Sequence, residues 1–108
     1  MIKPSRVVFI NDTLEESFNS LEKDDPVKKG IIRAIHDLRK NAFCGIQVPK
    51  RLIPKNYVQK YGINNLWKYD LPKGWRLLYT VTPENEVELI SAILEWFNHK
   101  DYEKRMNY

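Results

Sequence analysis

The chain has 108 residues, of which 43% are hydrophobic and 30% charged, and its net charge is +4. This is the size of one domain, residues 1–108, which can bury a hydrophobic core without disulfides or a structural metal. One cysteine, Cys44, excludes an intramolecular disulfide or a multi-thiolate zinc site, and we interpret it as a small buried residue. No apolar run reaches the ~18 residues of a membrane span, and no signal-peptide core is visible. We therefore expect a soluble, cytoplasmic protein without membrane contact.

The positive charge is concentrated in the middle of the chain. Residues 46–82 carry seven basic side chains and one acidic one, whereas residues 83–108 carry three basic and six acidic ones. Tyrosines and tryptophans interleave with the cations of the middle segment. A polyanion is the natural partner for such a surface, and aromatic rings beside cations suit unpaired bases. The alternative is a lysine-rich solvated face on a basic protein.

The first half of the chain predicts one strand followed by two helices. Residues 6–10 form a short apolar run that is typical of a buried strand. Apolar residues at helical spacing predict a helix over residues 13–23. Asn11, Asp12 and Thr13 supply helix-capping oxygens, and a capping box can begin at either Asp12 or Thr13. A second helix is predicted over residues 26–40, where an aspartate and then a proline supply its start.

The second half predicts a meander of strands. These strands cover residues 46–53, 66–71, 75–82 and 87–97. Pro49 makes the first of them an edge or irregular strand. The segment 54–61 is either a short helix or a loop that ends at Gly62, and a helix remains the competing interpretation for 87–97. Residues 99–108 are expected to form a polar, charged tail.

This order of elements indicates an α+β fold. We expect a helical hairpin packed on one face of a mostly antiparallel sheet of four or five strands, with the other face left for function. Simple alternation along the last strand predicts two opposite faces. One contains Val87, Leu89, Ile93 and Phe97, and the other contains Ile90, Ala92, Leu94 and Trp96.

Arg76 is the first candidate functional residue. It lies just after a Pro-Lys-Gly turn, and alternation places it on the same strand face as Leu78 and Thr80. A guanidinium on a sheet face presents a planar fork of donors that matches a phosphate. The alternative is a surface arginine that pairs with a neighbouring carboxylate.

A second candidate group follows the last strand. His99, Lys100 and Tyr102 bring an imidazole, an ammonium and a phenol together within four residues. If they neighbour Arg76, the set can cleave RNA without a metal. That reaction needs a base for the ribose 2′-hydroxyl, cations for the charge growing on the phosphate, and an acid for the departing oxygen. The alternative is a helix cap with an exposed histidine.

Further cations are candidate RNA contacts. The RNA-binding residues that we predict are Lys50, Arg51, Lys55, Lys68, Lys73 and Lys100. The first three alternatively form a solvated basic loop around two prolines. His36 is interpreted as structural. Metal-ligand spacings, a phosphate loop and a dinucleotide fingerprint are absent from the sequence, so no metal or cofactor is predicted.

Taken in order, these motifs resemble the RelE/ParE superfamily of toxin–antitoxin toxins. The resemblance depends on five features in this order: a helical hairpin, Leu-Trp-Lys-Tyr-Asp-Leu at 66–71, Gly-Trp-Arg-Leu-Leu-Tyr at 74–79, a long apolar strand and His-Lys-Asp-Tyr at 99–102. It covers nearly the whole chain and is strongest over residues 66–102. It implies a pair of N-terminal helices packed on an antiparallel sheet.

The resemblance also implies an activity and roles for particular residues. RelE-like members are ribosome-dependent endoribonucleases that cut mRNA in the ribosomal A site. By motif, Arg76 matches the arginine that contacts the scissile phosphate, and Tyr102, or His99 with it, matches the residues that assist proton transfer. The basic residues at 50–55 occupy the region of the family's catalytic or RNA-binding lysines. The middle segment lacks a clear glutamate to act as the base.

Two other functions stay open within the same superfamily. ParE-type members share the fold but poison DNA gyrase, and other members are inactive. Any active toxin of this type implies an antitoxin whose segment wraps the toxin and covers its basic site. The expected partners are therefore mRNA on the ribosome and a cognate antitoxin.

Overall fold

The computed structural model describes residues 2–106, and within them the chain forms four α-helices and one five-stranded mixed sheet. The helices are α1 (Asp12–Ser20), α2 (Pro26–Lys40), α3 (Lys55–Tyr61) and α4 (His99–Met106). The strands are β1 (Ser5–Phe9), β2 (Ile46–Gln47), β3 (Trp67–Asp70), β4 (Arg76–Pro83) and β5 (Leu89–Phe97). The predicted α+β class is confirmed, and the segment 87–97 is a strand from Leu89 onward.

The sheet has the strand order β1-β5-β4-β3-β2. β1 runs parallel to β5, and the other three pairings are antiparallel. Because β1 and β2 lie at opposite edges, α1 and α2 carry the chain from one edge of the sheet to the other. The predicted strand 46–53 is an edge strand only at Ile46–Gln47, and its predicted extent to residue 53 is wrong because the segment after Pro49 leaves the sheet as a 3₁₀ turn, Lys50–Leu52.

The main core lies between α2 and one face of the sheet. α2 begins as predicted: Asp25 Oδ1 accepts a hydrogen bond from the Val27 amide at 2.8 Å, and Pro26 occupies the first helical position. The buried residues of this core are Val27, Ile31, Ala34, Leu38, Ala42, Leu71, Leu77, Tyr79, Val81 and Ile93. Full burial of each large apolar side chain contributes about 1.5–3 kcal/mol.

α1 begins earlier than predicted. Its N-cap is Asn11, whose Oδ1 accepts a hydrogen bond from the Leu14 amide at 2.8 Å, so the predicted capping box at Asp12 or Thr13 is wrong. Asn11 has extended backbone angles and an amide oxygen in reach of the first turn, which makes it as good a cap as either. The helix ends at Ser20, before the predicted end at residue 23.

The second face of the sheet is covered rather than left open. A second core of Val48, Tyr57, Ile63, Leu66, Leu78, Leu94, Tyr102 and Met106 lies there. The predicted polar tail is wrong, because residues 99–106 form α4, which buries Tyr102 and Met106. Two apolar residues four positions apart align on one side of a helix even when every neighbour is charged.

The predicted alternation along β5 fails after residue 94. Leu78 on β4 pairs with Glu95, but Tyr79 pairs with Ile93, so Leu94 is the extra residue of a β-bulge. Trp96 therefore packs against the main core, while Phe97 packs against the second core. This is the reverse of the predicted assignment of Trp96 and Phe97, since an inserted residue exchanges the faces of every position after it.

The Asn65 side chain extends the ladder between β3 and β4. Its amide donates to the Val81 carbonyl at 2.8 Å, and its Oδ1 accepts from the Val81 amide at 2.9 Å. The same Oδ1 accepts from Trp67 Nε1 at 3.1 Å. One side chain thus satisfies both backbone groups of a buried residue on a central strand.

We expect Asn65→Ala to lower the free energy of unfolding by about 2–4 kcal/mol, because it leaves two backbone groups of Val81 without their partner. Urea unfolding measures this change. The neighbouring Asn64→Ala removes one exposed side-chain hydrogen bond and should change stability by no more than about 0.5 kcal/mol. Equal effects of the two substitutions would contradict the account.

Candidate functional site

Arg76 is held firmly at the start of β4. It pairs with Asp70 of β3 in the sheet, and its Nε lies 3.1 Å from Asp70 Oδ1. Its Nη1 donates to the carbonyls of Gly74 at 2.9 Å and Trp75 at 3.2 Å. The side chain is 22% exposed. The carboxylate pairing that the sequence left open therefore exists, and it fixes the guanidinium at the rim of the sheet.

The turn before Arg76 brings the start of α4 close. Lys73 has φ 60° and Gly74 φ 79°, so the chain reverses tightly in the left-handed region, which glycine adopts without cost and which is uncommon for a lysine. A Cβ on Gly74 would lie 3.7 Å from the Cβ of His99. His99 is thus placed beside the segment that leads into Arg76.

The Tyr102 ring joins two cations on the second face of the sheet. The Arg76 Cζ and the Lys68 Nζ each lie 5.9 Å from its ring centroid. Lys68 shares this face because it pairs with Leu78, two residues along β4 from Arg76. We call Lys68, Asp70, Arg76, His99 and Tyr102 the Arg76 cluster. It gathers two cations from the neighbouring strands β3 and β4 at one corner of the sheet.

His99 is, with Asp70, one of the two exposed members of the Arg76 cluster. Its side chain is 62% exposed, and its Nε2 lies 2.6 Å from Glu103 Oε1, one helical turn further along α4. When the neutral ring donates from Nε2 to this carboxylate, Nδ1 carries the lone pair that can accept a proton. Glu103 was missed because the sequence predicts a polar, charged tail at this position. In a helix, its spacing of four residues from His99 would have predicted that the two side chains pair.

The structure brings together most of the predicted site. Arg76 and Lys68 each lie within cation–π distance of the Tyr102 ring, and Lys73 and Lys100 are exposed on the turn and on the helix that carry the Arg76 cluster. Tyr102 is only 3% exposed. Its role in proton transfer stays a prediction, and its burial favours a supporting role under the two cations.

A second basic surface lies between the 3₁₀ turn at Lys50–Leu52, α3 and α4. We call it the α4 groove; it has a volume of about 600 Å³, and its cationic lining residues are Arg51, Lys55, Lys104 and Arg105. Lys50 is exposed on the same turn. The groove lining does not include Arg76, so the predicted cations divide between two places. Lys104 and Arg105 were not predicted, because they belong to a chain segment with net negative charge.

Three of the six acidic side chains of the last third lie far from Arg76. Glu84, Glu86 and Glu88 lie in the turn between β4 and β5, at the end of β4 opposite to Arg76. Seven strand residues at ~3.3 Å each separate the two ends by about 23 Å, which exceeds the Debye length at physiological salt. The positive surface near Arg76 is thus separated from these three carboxylates, whereas Glu95, Asp101 and Glu103 lie beside the basic surfaces.

Cys44 and His36 lie outside both surfaces. The prediction that Cys44 is buried is wrong, since its side chain is exposed in the short connection after α2. Partial burial of its thiol and the nearby Asp37 carboxylate raise the pKa of Cys44, so the reactive thiolate is disfavoured. His36 is exposed on α2. Within residues 2–106, no group of three or more His, Cys, Asp or Glu side chains is arranged to hold a metal ion.

Comparison with known proteins adds no relative for this chain. It matches no family model, no curated protein and no solved structure. Over residues 2–106, none of the helices combines the length and apolar composition needed to cross a membrane.

Proposed function

We propose that the protein is a RelE/ParE-like toxin of a toxin–antitoxin system that cuts mRNA on the ribosome without a metal. The observation that carries this proposal is the meeting of Lys68 and Arg76 over the Tyr102 ring, beside an exposed His99 paired with Glu103. The resemblance of residues 66–102 to that superfamily supports it. So does the presence of two N-terminal helices whose apolar side chains face the sheet.

The proposed reaction uses the chain's own groups. His99 Nδ1 removes the proton of a ribose 2′-hydroxyl, and the 2′-oxygen attacks the adjacent phosphorus. The bond from phosphorus to the 5′-oxygen breaks, and that oxygen leaves with a proton from a general acid or water. Arg76 and Lys68 hold the negative charge that grows on the phosphate oxygens. Asp70 keeps the guanidinium oriented before substrate arrives.

Substitutions of Tyr102 test whether its phenol transfers a proton in the proposed reaction. We expect Tyr102→Phe to cleave within about tenfold of wild type, because the ring that supports both cations remains, whereas loss of a proton-transfer group costs about 10²–10⁴-fold. We expect Tyr102→Leu to be slower than Tyr102→Phe, since it removes the aromatic face. Initial rates of mRNA cleavage measure both. A loss of 10²-fold or more in a folded Tyr102→Phe protein would assign the phenol to proton transfer.

A second candidate function also has an observation in its favour. Arg76 is tied to Asp70 and to two carbonyls and is mostly buried, which suits a structural arginine as well as a phosphate ligand. In that case the fold serves binding alone, as in a ParE-like inhibitor of DNA gyrase or an inactive member. The basic surfaces would then recognise a protein or a nucleic acid without cutting it.

One pair of assays separates these functions. Purified protein is incubated with translating ribosomes and a defined mRNA, and in parallel with DNA gyrase and a relaxed plasmid. The nuclease proposal predicts ribosome-dependent mRNA fragments and normal supercoiling. Intact mRNA with inhibited supercoiling would replace it with the gyrase inhibitor, and no effect in either assay would indicate an inactive member.

The proposed partner protein is an antitoxin with an acidic segment. Such a segment would complement the basic surfaces around Arg76 and the α4 groove. We propose that it masks these cations and blocks access to His99. The proposed place of action is the cytoplasm, where translated mRNA is found.

A further inference from the structure

We propose that the α4 groove binds the backbone of single-stranded RNA, as the continuation of the path that begins at Arg76. This inference rests on the proposed function for the identity of the substrate. It adds Lys104 and Arg105 to the RNA-binding residues and gives Glu95 and Tyr57 a positioning role.

The cations of the α4 groove are available for a polyanion. Within residues 2–106, Arg51, Lys55 and Lys104 take part in no ion pair. The 3₁₀ turn at Lys50–Leu52 and α3 contain no acidic residue. Several uncompensated cations in a concave surface focus the field and raise the local concentration of a negatively charged strand.

Arg105 is the organised member of the groove. Its Nε lies 3.4 Å from Glu95 Oε2, and its Cζ lies 5.7 Å from the Tyr57 ring centroid and 5.5 Å from that of Phe97. Tyr57 in turn donates to Glu95 Oε2 at 2.5 Å. A guanidinium already held between two rings and a carboxylate loses little conformational freedom when it binds a phosphate.

A recess next to the α4 groove adjoins the sheet partner of Arg76. Lys104 and Arg105 also line a neighbouring recess of about 340 Å³, whose other lining residues are Phe97 and Asp101. Phe97 is the sheet partner of Arg76. An RNA strand with a phosphate at Arg76 would pass Phe97 and Arg105 to reach the α4 groove, with the carboxylates of Glu95 and Asp101 beside it.

The groove favours RNA over an acidic peptide. Phe97 is half-buried in the recess, and the Arg105 guanidinium lies over its ring, so a cationic plane backed by an aromatic ring lines the recess. That combination binds unpaired nucleotides through stacking and phosphate contacts. The carboxylates of an acidic peptide would pair with the cations but would gain no stacking contact.

The test is the salt dependence of binding by the full chain, measured by fluorescence anisotropy with a short 2′-O-methyl RNA that cannot be cut. The groove variant is R51Q/K104Q. The matched control is K29Q/R39Q, which removes one lysine and one arginine from the exposed side of α2 on the opposite face of the sheet. We expect R51Q/K104Q to flatten the slope of log K against log salt by about 1.4, since each phosphate that a cation neutralises adds ~0.7 to the slope. The control should keep the wild-type slope.

Equal slopes for the two variants would overturn the inference. So would a polyglutamate that binds wild type more tightly than the RNA and depends on Arg51 and Lys104, which would assign the groove to an acidic protein. The test is separate from that of the proposed function, because it needs neither ribosomes nor cleavage. If the groove binds RNA but the protein leaves mRNA intact, the groove proposal stands and the nuclease proposal fails. If the protein cleaves mRNA but the groove variant keeps the wild-type slope, the nuclease proposal stands and the groove proposal fails.

Discussion

Arg76→Ala is expected to lower the rate of ribosome-dependent mRNA cleavage on the order of 10²-fold or more. The substitution removes a cation that is already oriented by Asp70 and by two carbonyls, so its stabilisation of the transition state needs no rearrangement during the reaction. Initial cleavage rates at saturating protein measure the loss.

The matched controls separate charge, geometry and folding. Arg76→Lys keeps a charge but loses the planar fork, and we expect it to recover only part of the rate. Arg39→Ala removes an exposed arginine of α2 and should cleave like wild type. An Arg76→Ala protein that is folded, as judged by urea unfolding, and that still cuts at the wild-type rate would remove Arg76 from the site.

Strong alkali is expected to unfold the protein through its buried tyrosines. Tyr57 is 1% exposed and Tyr79 0%. Burial, and for Tyr57 the hydrogen bond donated to Glu95, raise the pKa of both phenols far above the usual value of 10.0. The Tyr79 hydroxyl donates to the Ala42 carbonyl at 2.9 Å and accepts from the Gly45 amide at 3.0 Å, so both phenols are structural.

The direction of the pH effect follows from which state holds the protons. Above about pH 10 the unfolded chain loses both phenolic protons while the folded chain keeps them, so stability declines as pH rises. Below that pH the two states carry the same protons on these groups, and their contribution is fully present. Two protons correspond to a decline of about 2.7 kcal/mol per pH unit.

Urea unfolding at several alkaline pH values measures this slope. Tyr57→Phe no longer donates a hydrogen bond to Glu95 at neutral pH, and its alkaline slope should be shallower by about 1.4 kcal/mol per pH unit, since one proton is removed from the balance. The prediction would be contradicted by a folded protein whose ultraviolet absorbance shows that every tyrosine ionises near pH 10.

The sequence predicts elements well where one local signal dominates. α2 has its apolar stripe, its aspartate cap and its proline at the predicted positions, and β4 has the predicted faces. α4 was missed because eight residues with two apolar positions give a weak helical pattern. The helix is stabilised by packing of these two residues against the second face of the sheet, which the local sequence does not show. The bulge at Leu94 has no local signal either, since it depends on pairing with β4.

The candidate site shows the same division. Arg76 and His99 were found from the residue types and their order along the chain. The sequence left open a carboxylate partner for Arg76 without naming Asp70. Glu103 and the cations Lys104 and Arg105 were missed. Charge summed along the chain places Lys104 and Arg105 in a negative third, whereas the fold moves them beside Arg51 and Lys55 and leaves Glu84, Glu86 and Glu88 at the far end of β4.

The chemistry of the RNA ends formed by the wild-type protein on translating ribosomes tests the central claim most directly. Attack by the 2′-oxygen with Arg76 and Lys68 as the phosphate-binding cations predicts fragments with a 5′-hydroxyl on one side of each cut and a 2′,3′-cyclic phosphate on the other. Intact mRNA, or cuts that carry a 5′-phosphate, would contradict it.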